Sequence, residues 1–244
     1  MPETKNILMW SGPRNISTAM MRSWENRPDT HVHDEPFYAF YLHNTDYEHP
    51  GAEEVIAAYP TDWRDVVQQV TAAPPAGTTI YYQKHMTHHM LPQVDLRWIL
   101  PLTNAFLIRE PRLMLISLLK KLPDPQIDQT GLPEQIRIFR YLREETGQIP
   151  PVLDSKDVLL NPRAALTKLC TALEVPFDEA MLSWPAGKRD TDGVWAKYWY
   201  ASVEASTGFM PYEDRGEAVP EDFAGLLREC NELYDEMRRV GNLL

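Results

Sequence analysis

Positive charge is in short supply in this chain. Lys and Arg total 24 against 35 Asp and Glu, and the formal net charge is -11. That balance argues against a broad nucleic-acid or heparin-like footprint, so an anionic ligand would have to be met by a few local cations. Cysteine is scarcer still. Cys170 and Cys230 both fall in helical-looking segments without metal-ligand spacing, and they read as ordinary buried thiols of a reducing compartment. No apolar run reaches the ~18 residues of a membrane span. The opening stretch Met1–Trp10 is too short and too acidic for a signal peptide, so a cytoplasmic protein is expected. Internal repeats and low-complexity linkers are also missing. The 244 residues, 43% of them hydrophobic, are enough for a sizeable α/β core.

The most informative stretch is Ile7–Met20. A short apolar run ends in Ser11-Gly12-Pro13 and is followed by Arg14, Asn15, Ile16, Ser17, Thr18 and Ala19 at the start of a helical segment. This reads as strand, tight turn, helix start. Unpaired N–H groups and the helix dipole suit such a turn to a phosphate or sulfate. It is no Walker A loop, because the second Gly and the Lys of that motif are missing. On these residues alone, an anion site and an ordinary capped turn are both open.

Along the chain, strands are expected at Asn6–Trp10, Thr30–His33, Thr78–Gln83, Asn104–Ile108 and Val152–Asp154. Helices are expected at Ser17–Asn26, Asp62–Thr71 (with Thr61 as N-cap), Pro111–Lys121, Glu134–Thr146, Pro162–Leu173 and Phe223–Val240. Residues 43–60 read as a polar surface excursion or a lid, and Pro123–Pro133 as a loop. Alternating strands and helices predict a three-layer α/β/α fold around a parallel sheet, with ligands at the carboxyl ends of the strands. Arg14, Glu35, Lys84 and Arg109 each follow one of the first four strands, which predicts one shared site.

At Phe106–Ser117 the chain resembles the sulfotransferase family, which moves a sulfuryl group from 3′-phosphoadenosine-5′-phosphosulfate on a P-loop-like fold. The carrying features are a strand ending in Arg109-Glu110-Pro111 and Ser117 eight residues after the Arg. The resemblance implies that Arg109 and Ser117 hold the donor's 3′-phosphate. The rival reading pairs Arg109 with Glu110 and leaves Ser117 facing solvent. It also implies that Arg14, Asn15, Ser17 and Thr18, with the backbone of residues 14–19 including Ile16 and Ala19, bind the 5′-phosphosulfate. The stretch Val152–Pro162, then Leu166, Leu169-Cys170 and Pro176-Phe177, is similar to the family's supporting strand, turn and helix. Lys188, Arg189, Gly193 and Trp195 resemble its late loop over the 3′-phosphate. The likeness covers most of residues 5–200 and is greatest to compact bacterial-type members, implying a single domain over 1–244.

Sulfuryl transfer to a hydroxyl needs cationic donors on the transferred group and a base for the acceptor proton. Arg14 and Lys84 are the donor candidates, with a surface role for Lys84 equally open. Two bases compete. Glu35 follows the second strand, where some family members carry a catalytic Glu. His88 follows the third-strand Lys, where others carry a His. Asp34-Glu35 as a helix-capping pair is the plain alternative. His85, His88 and His89 lack a carboxylate partner in sequence, and no metal is expected. The expected donor is 3′-phosphoadenosine-5′-phosphosulfate, leaving adenosine 3′,5′-bisphosphate. The acceptor is a small-molecule hydroxyl compound, with no nucleic acid and no membrane span, and a homo-oligomer is left open. A nucleotide-dependent kinase or hydrolase, with Asp154 holding Mg²⁺, and a catalytically silent nucleotide-binding module are the alternatives.

Overall fold

The computed structural model describes residues 4–214 and 216–244. Its sheet is built on β1 (Lys5–Ser11), whose Ile7, Leu8, Met9 and Trp10 have no solvent exposure. A strand apolar on both faces belongs in the middle of a parallel sheet covered on both sides. β1 lies between β3 (Ile80–Met86) and β4 (Thr103–Ile108), with β2 (Thr30–Asp34) beyond β3. On the other side β5 (Pro151–Asp154) and a two-residue β6 (Asn242–Leu243) complete the order 2-3-1-4-5-6, and each pairing is parallel.

Side chains alternate between the two faces of a strand. Leu8 and Trp10 join Phe106, Phe139 and Met237 beneath helices Leu132–Thr146 and Ala224–Val240. Ile7 and Met9 join Met20, Trp24 and Leu166 beneath helices Ser17–Glu25 and Pro162–Ala172. The expected three-layer α/β/α fold around a parallel sheet is the fold observed. Among the described residues no helix is long and apolar enough to cross a membrane, and Cys170 and Cys230 are buried free thiols.

Several boundaries differ from the sequence expectation. β3 continues three residues past Gln83, so Lys84 and His85 lie within the strand and not after it. Polar side chains interrupt the pattern there, yet each is satisfied inside. Gln83 donates to the Val70 carbonyl and its Oε1 lies 3.1 Å from His85 Nε2. The excursion at 43–60 contains a helix, Ala52–Ala58, whose Val55 is fully buried against Tyr41 and Trp195. The aromatic segment after Glu35 forms a second short helix, Tyr38–His43. The helix expected from Asp62 starts at Trp63, and its N-cap is Asp62, not Thr61, with the carboxylate accepting from Arg64 N–H. Pro133 sits in the first turn of its helix and not in the preceding loop.

The turn after β1 passes hard against another backbone. A Cβ on Gly12 would lie 2.6 Å from the Thr130 carbonyl oxygen, and one on Gly131 would meet Thr87 Oγ1 at 2.5 Å. Thr87 fixes this contact by donating to the Gly131 carbonyl at 2.7 Å. Gly12→Ala is therefore expected to cost about 1–3 kcal/mol through overpacking. The check is a lower urea midpoint at unchanged m-value; a midpoint equal to wild type would show that the two backbones separate freely.

Candidate functional site

With every strand parallel, the carboxyl ends share one edge of the sheet. Gly12, Glu35, Arg109 and Ser155 follow β1, β2, β4 and β5 there, and Lys84 lies opposite Asp34 near the end of β3. Beyond this edge is a cavity of about 610 Å³ lined by Arg14, Glu35, Lys84, His88, Arg109 and Ser117 among others. Ile16, Ser17, Thr18 and Ala19 line it as well.

One half of the cavity is built for negative charge. Arg14 and Ile16 both have left-handed backbone, with φ of 58° and 49°. For a β-branched residue this is a strained conformation. Ile16 occupies the N-cap of helix Ser17–Glu25 and offers no side-chain acceptor. Met20 N–H is bonded to the Ile16 carbonyl, while the N–H groups of the first turn have no side-chain cap. Arg14 Nε donates to Ser117 Oγ at 2.9 Å, and Arg109 Nη1 donates to the Arg14 carbonyl. Ser117 is therefore held by Arg14 at the cavity wall and is not a free surface hydroxyl. Glu110 accepts from Arg112, not from Arg109. Neither Arg14 nor Arg109 makes an ion pair with a described residue. Burial pulls down the proton affinity of both guanidiniums, and Arg14 lowers that of Arg109 further by repulsion. Asn15 lines the same wall, but its amide donates to the Leu107 carbonyl at 2.5 Å and pins the loop to β4.

The other half is built around Lys84, which is 1% exposed and so has no surface role. Its ammonium lies 2.9 Å from Asp34 Oδ1, 2.5 Å from Glu35 Oε1 and 2.7 Å from the Tyr200 hydroxyl. The Tyr200 hydroxyl donates to Asp34 at 2.7 Å and accepts from Trp195 Nε1 at 3.1 Å. Asp34 and Glu35 thus neutralise a buried cation and do not cap the helix that follows, whose N-cap Phe37 has no side-chain bond. One ammonium between two carboxylates leaves an excess negative charge. Burial first, then Asp34, raises the Glu35 proton affinity, while Lys84 opposes the change. The two carboxylates hold Lys84 protonated. Glu35 also has left-handed backbone, with φ of 39°.

His88 is the other base candidate, and its environment differs. Burial drives its pKa down to about 3, so it is a neutral imidazole and a weak proton acceptor. Among the described residues no cluster of His, Cys, Asp and Glu is arranged to hold a metal ion. Asp154, the acid that a kinase would need for Mg²⁺, caps the next helix through Lys156 N–H and accepts from the Tyr234 hydroxyl.

Lys188, Arg189, Gly193 and Trp195 do not line the cavity. Arg189 reaches Glu25 at 3.5 Å and the Pro185 carbonyl, and Lys188 is exposed. Gly193 N–H faces Asp34 Oδ2 at 3.5 Å, and Trp195 bonds Tyr200, so this segment supports the Lys84 cluster from behind. Sequence reasoning missed Lys156 and Tyr212, which do line the cavity, as does Tyr200, one of the late aromatics the sequence offers as a pocket lining. Lys156 Nζ sits 5.3 Å from the centre of the Tyr212 ring. Tyr200 was visible only as part of an aromatic run, and nothing local marks its hydroxyl as a partner of Asp34.

Comparison with known proteins adds a family match. The model described as a sulfotransferase domain matches residues 5–240. Branched-chain-amino-acid aminotransferase-like protein 1 of Arabidopsis thaliana is 34% identical over 239 residues, covering 98% of this chain but 42% of that protein. Its homologue, protein 2, is 32% identical over 233 residues, covering 95% of this chain and 41% of that protein. The chain thus spans less than half the length of these curated relatives, and their names describe the longer proteins. Among solved structures, the sulfotransferase domain of the Synechococcus PCC 7002 olefin synthase superposes with a TM-score of 0.57 at 16% identity over 96% of each chain. The sulfotransferase of Alicyclobacillus acidocaldarius gives 0.57 at 10% identity, over 96% of this chain and 95% of that one. At such identities the likeness is one of fold.

The Lys84 cluster has a pH signature. A glutamate whose folded pKa is raised binds its proton more tightly when folded, so it contributes stability below its ordinary value near 4.5 and loses it as pH rises through the higher folded value. Glu35→Gln should remove that loss. Urea stability of the ligand-free protein, followed upward from pH 4.5, should fall more steeply for wild type than for Glu35→Gln. Parallel curves would show that Glu35 is unperturbed.

Proposed function

The chain belongs to the sulfotransferase family, and from that premise we propose that it acts as one domain that moves a sulfuryl group from 3′-phosphoadenosine-5′-phosphosulfate to a hydroxyl of a small acceptor. The observation that carries this reading is the pair of half-buried guanidiniums, Arg14 and Arg109, which lack a carboxylate partner among the described residues beside an uncapped helix start. Buried charges are normally paired. Two that are partly withdrawn from water and unpaired, lining one cavity with about eight uncommitted N–H donors between them, are supplied with partners by a doubly phosphorylated ligand.

In this reading the turn at residues 14–19 holds the 5′-phosphosulfate through its first-turn N–H groups, with the Ser17 and Thr18 hydroxyls beside them. Arg109 and Ser117 hold the 3′-phosphate. The acceptor oxygen attacks sulfur in line with the departing phosphate oxygen. A new S–O bond forms, the bond to the 5′-phosphate oxygen breaks, and adenosine 3′,5′-bisphosphate is left. The acceptor proton passes to Glu35, whose raised proton affinity makes it a better base than an ordinary carboxylate. Lys84, held by Asp34 and Tyr200, stays charged at the reacting end and stabilises the sulfuryl oxygens. The neutral His88 supplies hydrogen bonding there and no base.

Ligand-induced stabilisation tests the reading. Adenosine 3′,5′-bisphosphate at a hundredfold excess over Kd should add about 2.7 kcal/mol of stability by mass action. ATP with Mg²⁺ and AMP should add much less. A larger shift with ATP and Mg²⁺ would favour a kinase or hydrolase, and no shift with any of them a silent module. Arg109→Ala should weaken bisphosphate binding roughly 30-fold or more, from the ~2 kcal/mol lower limit for truncating one side of a buried charge contact. Glu35→Gln should keep the bisphosphate shift and lose transfer of labelled sulfate; retained turnover would move the base to another group.

A further inference from the structure

Next to Glu35 the cavity wall carries a group of aromatic and imidazole side chains of which the transfer chemistry uses only His88, and that one for hydrogen bonding. Tyr38 N–H donates to the Glu35 carbonyl at 3.0 Å, and the Tyr38 ring stacks on His89 with centroids 4.9 Å apart. Tyr41 stands edge-on to His88 at 5.1 Å and stacks on His89 at 4.9 Å. His49 joins them through its Nδ1, 2.8 Å from the Tyr38 hydroxyl. Tyr38, Tyr41, His49, His88 and His89 all line the cavity.

Four polar atoms of this group have no hydrogen-bond partner among the described residues: the Tyr41 hydroxyl, His49 Nε2, His88 Nδ1 and His89 Nδ1. Native proteins rarely leave buried polar atoms unsatisfied, and a cluster of them calls for an explanation such as a missing ligand or water. The terminal torsion of His is broad, so small ring rotations bring the imidazole edges to the cavity, and the Tyr41 hydroxyl can turn its proton without moving its ring.

We propose that these four groups form the acceptor subsite and that the acceptor is a neutral, polyhydroxylated small molecule. This rests on the sulfuryl-transfer reading above. The chemistry follows from what the wall offers. A neutral imidazole and a phenol each donate and accept, and so does a hydroxyl. An ammonium offers donors only and a carboxylate acceptors only. The nearest cation, Lys84, is already balanced by Asp34 and Glu35, which leaves nothing to neutralise an anionic acceptor. The three histidines stay uncharged, His49 at about 4, His88 at about 3 and His89 well below its ordinary value, all mainly through burial. A simple phenol or alkanol carries one hydroxyl, which Glu35 must take, and would leave the other partners unmet. The rings of Tyr38 and Tyr41 offer flat faces to the C–H surfaces of a polyol.

The test measures transfer from radiolabelled donor to myo-inositol, glucose and glycerol, against para-nitrophenol, hexanol and ethanolamine, using the 244-residue chain. Donor-site occupancy is followed separately by the bisphosphate stability shift. The expected result is a kcat/KM for at least one polyol about tenfold or more above every single-hydroxyl compound, as a site built to pair hydroxyls rejects analogues lacking them. Tyr41→Phe, which deletes one oxygen, should then raise KM for that polyol more than it lowers kcat, with the bisphosphate shift as the check that the variant is folded. Label passing preferentially to para-nitrophenol, hexanol or ethanolamine would overturn the proposal and leave the sulfotransferase reading standing. So would label on no compound in a protein that shows the bisphosphate shift. Absence of the shift itself would remove the underlying reading and the proposal together.

Discussion

An ammonium ion cannot be buried in a parallel sheet without compensation, and Lys84 obtains it from the neighbouring strand. The β2–β3 register puts Asp34 opposite Lys84, and the chain then turns so that Glu35 reaches the same nitrogen. A one-residue slip of β3 would send Lys84 to the opposite face of the sheet, because side chains alternate. The ion cluster and the register therefore depend on each other. Desolvating these charges is costly, and a buried pair is weak evidence for stability by itself. Its worth here lies in position, since it fixes a carboxylate and a cation in the wall of one cavity.

The anion half depends on a different expense. Among the described residues, the non-glycine positions with positive φ are Arg14, Ile16, Glu35 and Glu174. The first three line the cavity. Each such conformation costs of order 1–3 kcal/mol and persists only where the surroundings hold it. The opposing contribution is close at hand, because burying Ile7, Leu8, Met9 and Trp10 stabilises the fold by about 1.5–3 kcal/mol for each large side chain. The fully buried strand β1 leads directly into the strained turn. Local preference and global fold conflict where function requires an unusual backbone.

Much of the architecture was legible because apolar runs, prolines and helix periodicity survive in sequence. β1, β4 and β5 were recognisable as buried strands, and the common edge holding Arg14, Glu35, Lys84 and Arg109 followed from their order. What escaped was set by tertiary partners. Gln83, Lys84 and His85 look like the end of a strand until Val70, Asp34 and Tyr200 are seen to satisfy them. The helix at Ala52–Ala58 is short and largely exposed, and Val55 is its one fully buried residue. β6 is too short to carry any periodicity, and it forms because the C-terminal helix delivers it to β5. The segment from Lys188 to Trp195 resembled a phosphate loop, but its contacts with Glu25, Asp34 and Tyr200 make it a brace.

The bond from Arg14 to Ser117, and that from Arg109 to the Arg14 carbonyl, join the first loop to the helix after β4 before any ligand arrives. Long arginine side chains ordinarily surrender considerable rotamer freedom on binding. Here that loss has already been met during folding, so the pocket is preorganised and association does not have to order it again. Two guanidiniums held at a set separation act as a fixed gauge. They favour a molecule by the span between its charged groups, where flexible cations would respond only to its total charge.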